Sequence, residues 1–168
     1  MDHVFTIAEE RLNLFARMAN SACGLSLWCF GMKKQLYTCT CPAEKEFRLF
    51  LDLGQCLDYA IAHGPESHAP ILMSDPIGML WVAECVWHGD DASYLVILGP
   101  VFDAAASWQT LQNCLRGMNL SVSLTATIME KLEQVPILPL STLHQYIKML
   151  HWVLYEETLD VGSIRLQN

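Results

Sequence analysis

The sequence predicts an α+β domain built on a mostly antiparallel sheet flanked by helices. Two observations predict this class. β-prone runs occur in pairs joined by short polar links, which is typical of hairpins, and helical periodicities occupy both ends of the 168-residue chain. The length is that of one ordinary domain. Strands joined by hairpins, with helices before and after them, are typical of a sheet covered by helices.

The first half of the chain predicts a helix, a hairpin and a second helix. Apolar residues at helical spacing indicate a helix over residues 6–21, and Gly24 stands where a helix C-cap glycine is expected. The β-prone runs 25–30 and 35–41 are joined by a short link that contains glycine and lysine, so they predict an antiparallel hairpin. Residues 43–63 carry an apolar stripe and predict one helix.

The second half predicts more strands and then helices. Residues 70–73 form a short candidate strand, and runs 79–87 and 94–102 predict a hairpin because the link between them is polar and rich in turn residues. Three helices are predicted after it, over residues 105–116, 121–133 and 141–157. We expect this element order to give a PAS- or GAF-like sensory fold.

Composition and charge restrict the function. Hydrophobic residues make up 52% and charged residues 17% of the chain, which indicates a dense core, a ligand cavity, an oligomer interface or a mixture. The net charge of −8 argues against contact with a phosphate backbone, which needs clustered cations. The chain has no apolar run near the ~20 residues of a membrane span and no signal peptide at its start. We therefore expect a cytoplasmic domain that binds neither a membrane nor nucleic acid.

The cysteines predict neither a disulfide framework nor a metal site. An odd number without a secretion signal favours reduced thiols that act as small hydrophobic residues. Cys39 and Cys41 form a C-x-C pair, but structural zinc sites use paired C-x₂₋₄-C clusters, so we expect no metal. The chain has seven cysteines: Cys23, Cys29, Cys39, Cys41, Cys56, Cys85 and Cys114.

Enzyme motifs give no support to catalysis. The chain contains no G-x-S-x-G elbow, no glycine-rich phosphate loop and no H-E-x-x-H pair. We expect no catalytic residue, no cofactor and no enzymatic activity.

Glu84 is the main candidate for a ligand anchor. Alternation along run 79–87 places it on an otherwise apolar strand face, where a carboxylate must be paired, hydrogen-bonded or solvated. It either anchors a small molecule or is a satisfied carboxylate at the edge of the sheet. Aromatic residues on the predicted strands would line such a cavity, or else form ordinary core. The candidate ligand-binding set is Trp28, Phe30, Tyr37, Trp81, Glu84 and Tyr94.

The last predicted helix carries apolar residues three and four positions apart, as in a coiled-coil seam. Such a stripe either packs on the sheet or forms a symmetric dimer. The candidate dimer residues are Leu143, Ile147, Leu150 and Leu154.

Five segments in order resemble the N-terminal sensory region of AraC-type transcriptional regulators of gut-dwelling Gram-positive bacteria. They are Gly-Leu-Ser-Leu-Trp at 24–28, Gly-Met-Leu-Trp-Val-Ala at 78–83, Leu-Gly-Pro-Val-Phe at 98–102, Gln-Val-Pro-Ile at 134–137 and His-Gln-Tyr-Ile-Lys-Met-Leu-His at 144–151. The resemblance implies a domain that senses an unknown small molecule or other signal to control transcription. It supplies no ligand residues.

In the family that the chain resembles, the sensory region precedes a DNA-binding helix-turn-helix domain. We therefore expect a sensory domain over residues 1–158, with a candidate dimerisation helix at 141–157, and a linker at 159–168 towards a DNA-binding half that this chain lacks. We expect a homodimer. The alternative is a dimerisation module that binds no ligand.

Overall fold

The computed structural model of the chain describes residues 7–53 and 55–167, and it confirms an α+β fold with a mostly antiparallel sheet flanked by helices. The helices are α1 (Ile7–Cys23), α2 (Glu44–Leu53), α3 (Cys56–His63), α4 (Trp108–Arg116), α5 (Val122–Leu132) and α6 (Leu140–Tyr155). The strands are β1 (Leu27–Gly31), β2 (Leu36–Cys39), β3 (Ile71–Ser74), β4 (Leu80–His88), β5 (Asp91–Val101) and β6 (Arg165–Leu166).

Six strands form one sheet in the order β2-β1-β5-β4-β3-β6. Every neighbouring pair is antiparallel except β3 and β6, which run parallel. Both predicted hairpins are present, β1–β2 and β4–β5, and the link in the second is only Gly89 and Asp90. The central position of β5 follows from its sequence, since a continuous apolar run suits a strand that is covered on both faces.

The sheet has a separate core on each face. On one face, which we call the α2–α5 face, strand residues such as Trp28 and Trp81 pack with Phe50 of α2 and Ile128 of α5. On the other, the α1/α6 face, strand residues such as Val96 pack with helical residues from α1 and α6. Side chains of a strand point alternately to opposite faces, so each central strand contributes to both cores.

One of the predicted helices is interrupted in the structure. The helix expected over 43–63 is two helices, α2 and α3, because Gln55 adopts a left-handed backbone conformation with φ of 56°, which a continuous α-helix cannot contain. The helix predicted over 43–63 includes Gly54, and the first predicted helix begins at Thr6. Both residues lie outside the described part of the chain.

The segment expected to be a linker at 159–168 is part of the fold over its described residues, 159–167. Leu159 is buried in the core of the α1/α6 face, and β6 pairs with β3 at the edge of the sheet. The guanidinium group of Arg165 donates hydrogen bonds to backbone carbonyls between residues 63 and 69. The acceptors are the carbonyl oxygens of His63, Gly64, Ser67 and Ala69.

We expect Arg165→Ala to lower the free energy of unfolding by about 2–3 kcal/mol, because those carbonyls lose a charged donor. Chemical denaturation measures this loss, and hydrogen exchange should show faster exchange at the amide of Gln167, which bonds the carbonyl of Leu72. Arg17→Ala, at an exposed residue of α1, serves as the control. Unchanged exchange at Gln167 would mean that pairing with β3 alone holds β6.

Candidate functional site

Three of the aromatic ligand candidates are core residues. The rings of Trp28 and Phe30 stack with centroids 6.0 Å apart, the Trp28–Trp81 centroids are 5.9 Å apart, and all three side chains are fully buried. The indole N–H of Trp28 donates to the carbonyl of Gly99 and that of Trp81 donates to Asp75, each at 2.9 Å. Because their polar groups are paired within the protein and their rings contact one another, the volume between them is filled.

The remaining candidates lie on the opposite face of the sheet. Tyr37 and Tyr94 line a small cavity of about 280 Å³ next to α1, together with Cys29. Glu84 faces α6, where His151 is its partner. The expectation of one ligand cavity lined by all six residues is therefore wrong, since the sheet itself separates the two groups.

Glu84 and His151 form a buried contact between β4 and α6. Nδ1 of the imidazole lies 2.5 Å from Oε1 of the carboxylate, and the side chain of His151 is 5% exposed while that of Glu84 is 0% exposed. Oε2 of Glu84 is buried and has no hydrogen-bond partner among the described residues. Of the two interpretations of Glu84, the structure favours a carboxylate that is paired within the protein, although only one of its oxygens is paired, the partner is a histidine and the location is the interior of the fold.

The electrostatics of this pair favour retention of a proton. Burial raises the pKa of the Glu84 carboxyl, although the hydrogen bond from His151 opposes that rise. The hydrogen bond to Glu84 raises the pKa of His151, burial opposes it, and Glu157 raises it further. Nε2 of His151 lies 3.4 Å from Oε2 of Glu157, while Arg165 acts in the other direction on Glu84 by favouring its charged form. The folded chain therefore holds protons at this site more tightly than the unfolded chain.

This proton retention predicts a pH dependence of stability. A group whose pKa is raised on folding stabilises the fold below its unfolded pKa and loses that contribution as pH rises through the folded pKa. We therefore expect the free energy of unfolding, relative to a Glu84→Gln/His151→Gln double variant, to begin to fall as pH rises above ~4.3, the unfolded pKa of a glutamate, and to fall further above ~6.5, the unfolded pKa of histidine. Urea denaturation at several pH values measures it. A difference that grows with pH would contradict the direction assigned to the pair.

The apolar stripe of α6 faces the sheet. Leu143, Ile147 and Leu150 are fully buried in the core of the α1/α6 face, and Leu154 packs against the same core. These residues are therefore not the exposed surface of a dimer helix. The spacing predicted a continuous apolar stripe, and the stripe is present. It packs against the strands, so the three buried residues are not accessible to a second chain.

We expect Ile147→Glu to destabilise the domain by several kcal/mol, because it buries an unpaired carboxylate. Met149→Glu is the matched control, since Met149 is two residues away and 44% exposed. Circular dichroism during thermal unfolding should show a large loss of stability for Ile147→Glu and little change for Met149→Glu. A folded, stable Ile147→Glu protein would contradict the core assignment.

The outer surface of α1 and α6 carries an apolar groove of about 490 Å³. Its most exposed large side chains are Leu14 and Met18 of α1, at 51% and 62% exposure, and Met149 and Trp152 of α6, at 44% and 50%. The groove is lined by Arg11, Leu14, Phe15, Met18, Ala19, Ala22, Tyr146, Met149, Trp152 and Val153. We refer to it as the α1/α6 groove.

Arg11 is the charged residue of the α1/α6 groove. Its Nη1 lies 2.5 Å from Oε1 of Glu156, and its guanidinium carbon lies 5.5 Å from the ring centroid of Trp152. Its Nε is buried without a hydrogen-bond partner among the described residues. The groove thus combines an apolar lining with one guanidinium group that is paired with Glu156.

Sequence reasoning missed this groove and a second buried carboxylate. Met149 and Trp152 lie in the last predicted helix but outside its apolar seam, and only this position could have indicated a second apolar face.

The second buried carboxylate is that of Asp75, which accepts hydrogen bonds from the backbone N–H groups of Ile77 and Met79 and from the indole of Trp81. Burial raises its pKa to about 6. Residues 74–76, Ser-Asp-Pro, are typical of a turn, and this was the feature of the sequence that could have indicated the carboxylate.

Within residues 7–53 and 55–167, the structure places no three histidine, cysteine or acidic side chains where they could hold a metal ion. None of the helices in this part of the chain combines the length and apolar character needed to cross a membrane. Comparisons with protein-family models, with curated proteins and with solved structures find no match.

Proposed function

We propose that this chain is a regulatory sensory domain that binds an apolar small molecule in the α1/α6 groove. The observation that carries the proposal is the groove itself, an apolar concavity between two helices with a single charged residue in its lining. Its volume of about 490 Å³ lies within the range of small-molecule sites, which combine an apolar lining with a few polar groups that orient the ligand.

Arg11 gives the ligand a chemical class. Its guanidinium group would lie beside a polar head group of the ligand, while Leu14, Met18 and Trp152 would contact an alkyl or aromatic body. The guanidinium is paired with Glu156. An anionic head group would compete with that carboxylate for the same donors more strongly than a neutral group would, so an anionic ligand is preferred. A medium-chain carboxylate fits this description.

The regulatory role is supported by the resemblance of five ordered segments to the sensory region of AraC-type regulators.

We propose the PAS- or GAF-like form for the fold, in agreement with a single, mostly antiparallel sheet covered by helices on both faces. A structural rather than a catalytic role is favoured for the buried pair, because both ring nitrogens of His151 face carboxylates. The imidazole is thus not directed at a nucleophile.

A ligand in the groove would act on the position of α6. The groove is formed by α1 and α6 together, so an occupant contacts both helices. The Glu84–His151 contact ties α6 to the sheet, and β6 follows α6 along the chain. A ligand changes a conformational equilibrium only through its different affinity for the two states, and contacts to two helices at once provide such a difference.

A homodimerisation module is the second candidate, and the exposure of the same four side chains favours it. Leu14, Met18, Met149 and Trp152 form an apolar surface on two adjacent helices, and such surfaces on soluble proteins mark interaction sites. A two-fold axis at the groove would pair α1 and α6 with the same helices of a second copy. This interface differs from the seam predicted from the sequence, because it uses the outer face of α6.

Calorimetric titration with decanoate, and with decanol as the neutral probe, tests the leading proposal. We expect one decanoate site per chain and weaker binding of decanol, since the alcohol lacks the negative charge. Met18→Glu should raise the dissociation constant for decanoate at least about tenfold, the equivalent of ~1.4 kcal/mol, because it places a carboxylate in the groove. Val122→Glu, at an 88% exposed residue of α5, should leave binding unchanged.

Light scattering on the same proteins distinguishes the two candidates. A monomer that binds decanoate, with binding lost in Met18→Glu, supports the ligand site. A dimer that does not bind decanoate and that Met18→Glu converts to a monomer replaces the ligand site with the dimerisation module. Equal decanoate binding by Met18→Glu and the unsubstituted chain excludes the groove as the site.

A further inference from the structure

A cavity of about 280 Å³ lies on the α1/α6 face of the sheet, between α1 and strands β1, β2 and β5. Three of the residues that line it are buried apolar or weakly polar residues: Leu12 of α1, Cys29 of β1 and Tyr94 of β5. Glu9, in the first turn of α1, also lines the cavity and is only 5% exposed. A carboxylate is therefore placed within a concavity and not on the outer surface of the helix.

An irregularity in β2 brings Tyr37 to the same cavity. Cys29 of β1 pairs with Thr38, whereas Phe30, the next residue of β1, pairs with Leu36. Tyr37 is therefore an extra residue in β2, as in a β-bulge, and bulges re-aim side chains and are common next to functional sites. Tyr37 and Thr38 are adjacent along the strand, yet both line the cavity, which the regular alternation of a strand does not allow. The bulge thus adds a second tyrosine ring to the lining.

The charge of the cavity favours a cation. Glu9 is the one charged side chain among the described residues that line it. Burial and, second, the charge of Glu9 raise the pKa of Cys29 to about 12, and they raise the pKa of Tyr94 in the same way. Both groups therefore keep their protons at neutral pH and leave the carboxylate as the source of charge. The net charge of −8 on the whole chain also attracts cations.

The residue types in the lining favour an organic ammonium ion over a metal ion. A hard metal ion such as Ca²⁺ takes about six to eight oxygen ligands, mostly from several carboxylates and carbonyls, whereas this lining offers one carboxylate. An ammonium ion with alkyl substituents needs one negative charge and aromatic or aliphatic surface for its alkyl groups. Glu9 provides the charge, and Leu12, Tyr37 and Tyr94 provide the surface.

We propose that this cavity binds a small organic ammonium ion, with the carboxylate of Glu9 next to the cationic nitrogen and the rings of Tyr37 and Tyr94 against its alkyl groups. An ionised carboxylate accepts up to about four hydrogen bonds, so a cation at Glu9 does not require that residue to give up contacts within the protein. Asn13 and Thr38, both exposed lining residues, provide an amide and a hydroxyl for a polar substituent of the ligand. The volume of about 280 Å³ is close to the lower end of the range for small-molecule sites, which favours a compact ligand such as choline.

This site does not depend on the α1/α6 groove. The two use different residues of α1, Glu9 and Leu12 for the cavity and Leu14 and Met18 for the groove. They also select ligands of opposite charge. A failure of the decanoate experiment would therefore leave the ammonium site untouched, and the reverse also holds.

Calorimetric titration of the full chain with choline chloride tests the proposal, with 3,3-dimethyl-1-butanol as a neutral probe of the same shape. Sodium chloride keeps the ionic strength constant, so that general screening of surface charge does not contribute to the signal. We expect one choline site per chain. The alcohol should bind at least about tenfold more weakly, because it lacks the positive charge that faces Glu9.

Two pairs of variants separate charge from aromatic contact. Glu9→Gln removes the charge and keeps the size of the side chain, so it should raise the dissociation constant for choline at least about tenfold. Glu10→Gln is the matched control, because it makes the same change at the adjacent, exposed residue of the first turn, and it should bind choline like the unsubstituted chain. Tyr37→Phe should retain binding and Tyr37→Leu should weaken it, since only phenylalanine keeps an aromatic ring beside the cation.

Three results would overturn the proposal. The first is an absence of saturable choline binding by the unsubstituted chain, and the second is equal affinity for choline and for the neutral alcohol. The third is equal affinity of Glu9→Gln and Glu10→Gln for choline. Circular dichroism checks that each variant is folded. If Glu9→Gln does not fold, the comparison of the two probes and the Tyr37 variants still decide the question.

Discussion

Strand β5 is buried on both of its faces, and this constraint determines where the helices lie. From Tyr94 to Val101 every residue is buried, and because side chains alternate along a strand, each face of the sheet needs its own cover. Burying one large aliphatic side chain contributes about 1.5–3 kcal/mol, so a helix missing from either face would forfeit several such contributions. Helices α2 to α5 cover one face, while α1 and α6 cover the other.

The Glu84–His151 contact determines which side of α6 faces the sheet. Glu84 lies on the α1/α6 face together with Val82, two positions before it along β4, and a carboxylate there requires a partner. His151 supplies it from the same side of α6 as Ile147 and Leu150. With those residues directed inwards, Trp152 is directed outwards next to α1. The apolar groove is thus a consequence of the orientation of α6 that brings His151 to Glu84.

The sequence by itself determined the α+β class, both hairpins and the inward stripe of α6, because periodicity and turn residues act locally. It also placed Glu84 on an apolar strand face. Only the tertiary structure decided what Glu84 meets, since His151 is 67 positions away along the chain, and no local pattern encodes such a contact. The break at Gln55 escaped prediction because its left-handed conformation is one that glutamine rarely adopts.

The surface features depend even more on the tertiary structure than the fold does. The C-x-C spacing was visible in the sequence, but only the structure shows that both cysteines pack on the core of the α2–α5 face. The sequence likewise supplied Met18 and Trp152 without showing that they share a groove. Local patterns determine which face of an element is apolar, whereas packing determines which apolar face is covered, and a surface site consists of what packing leaves exposed.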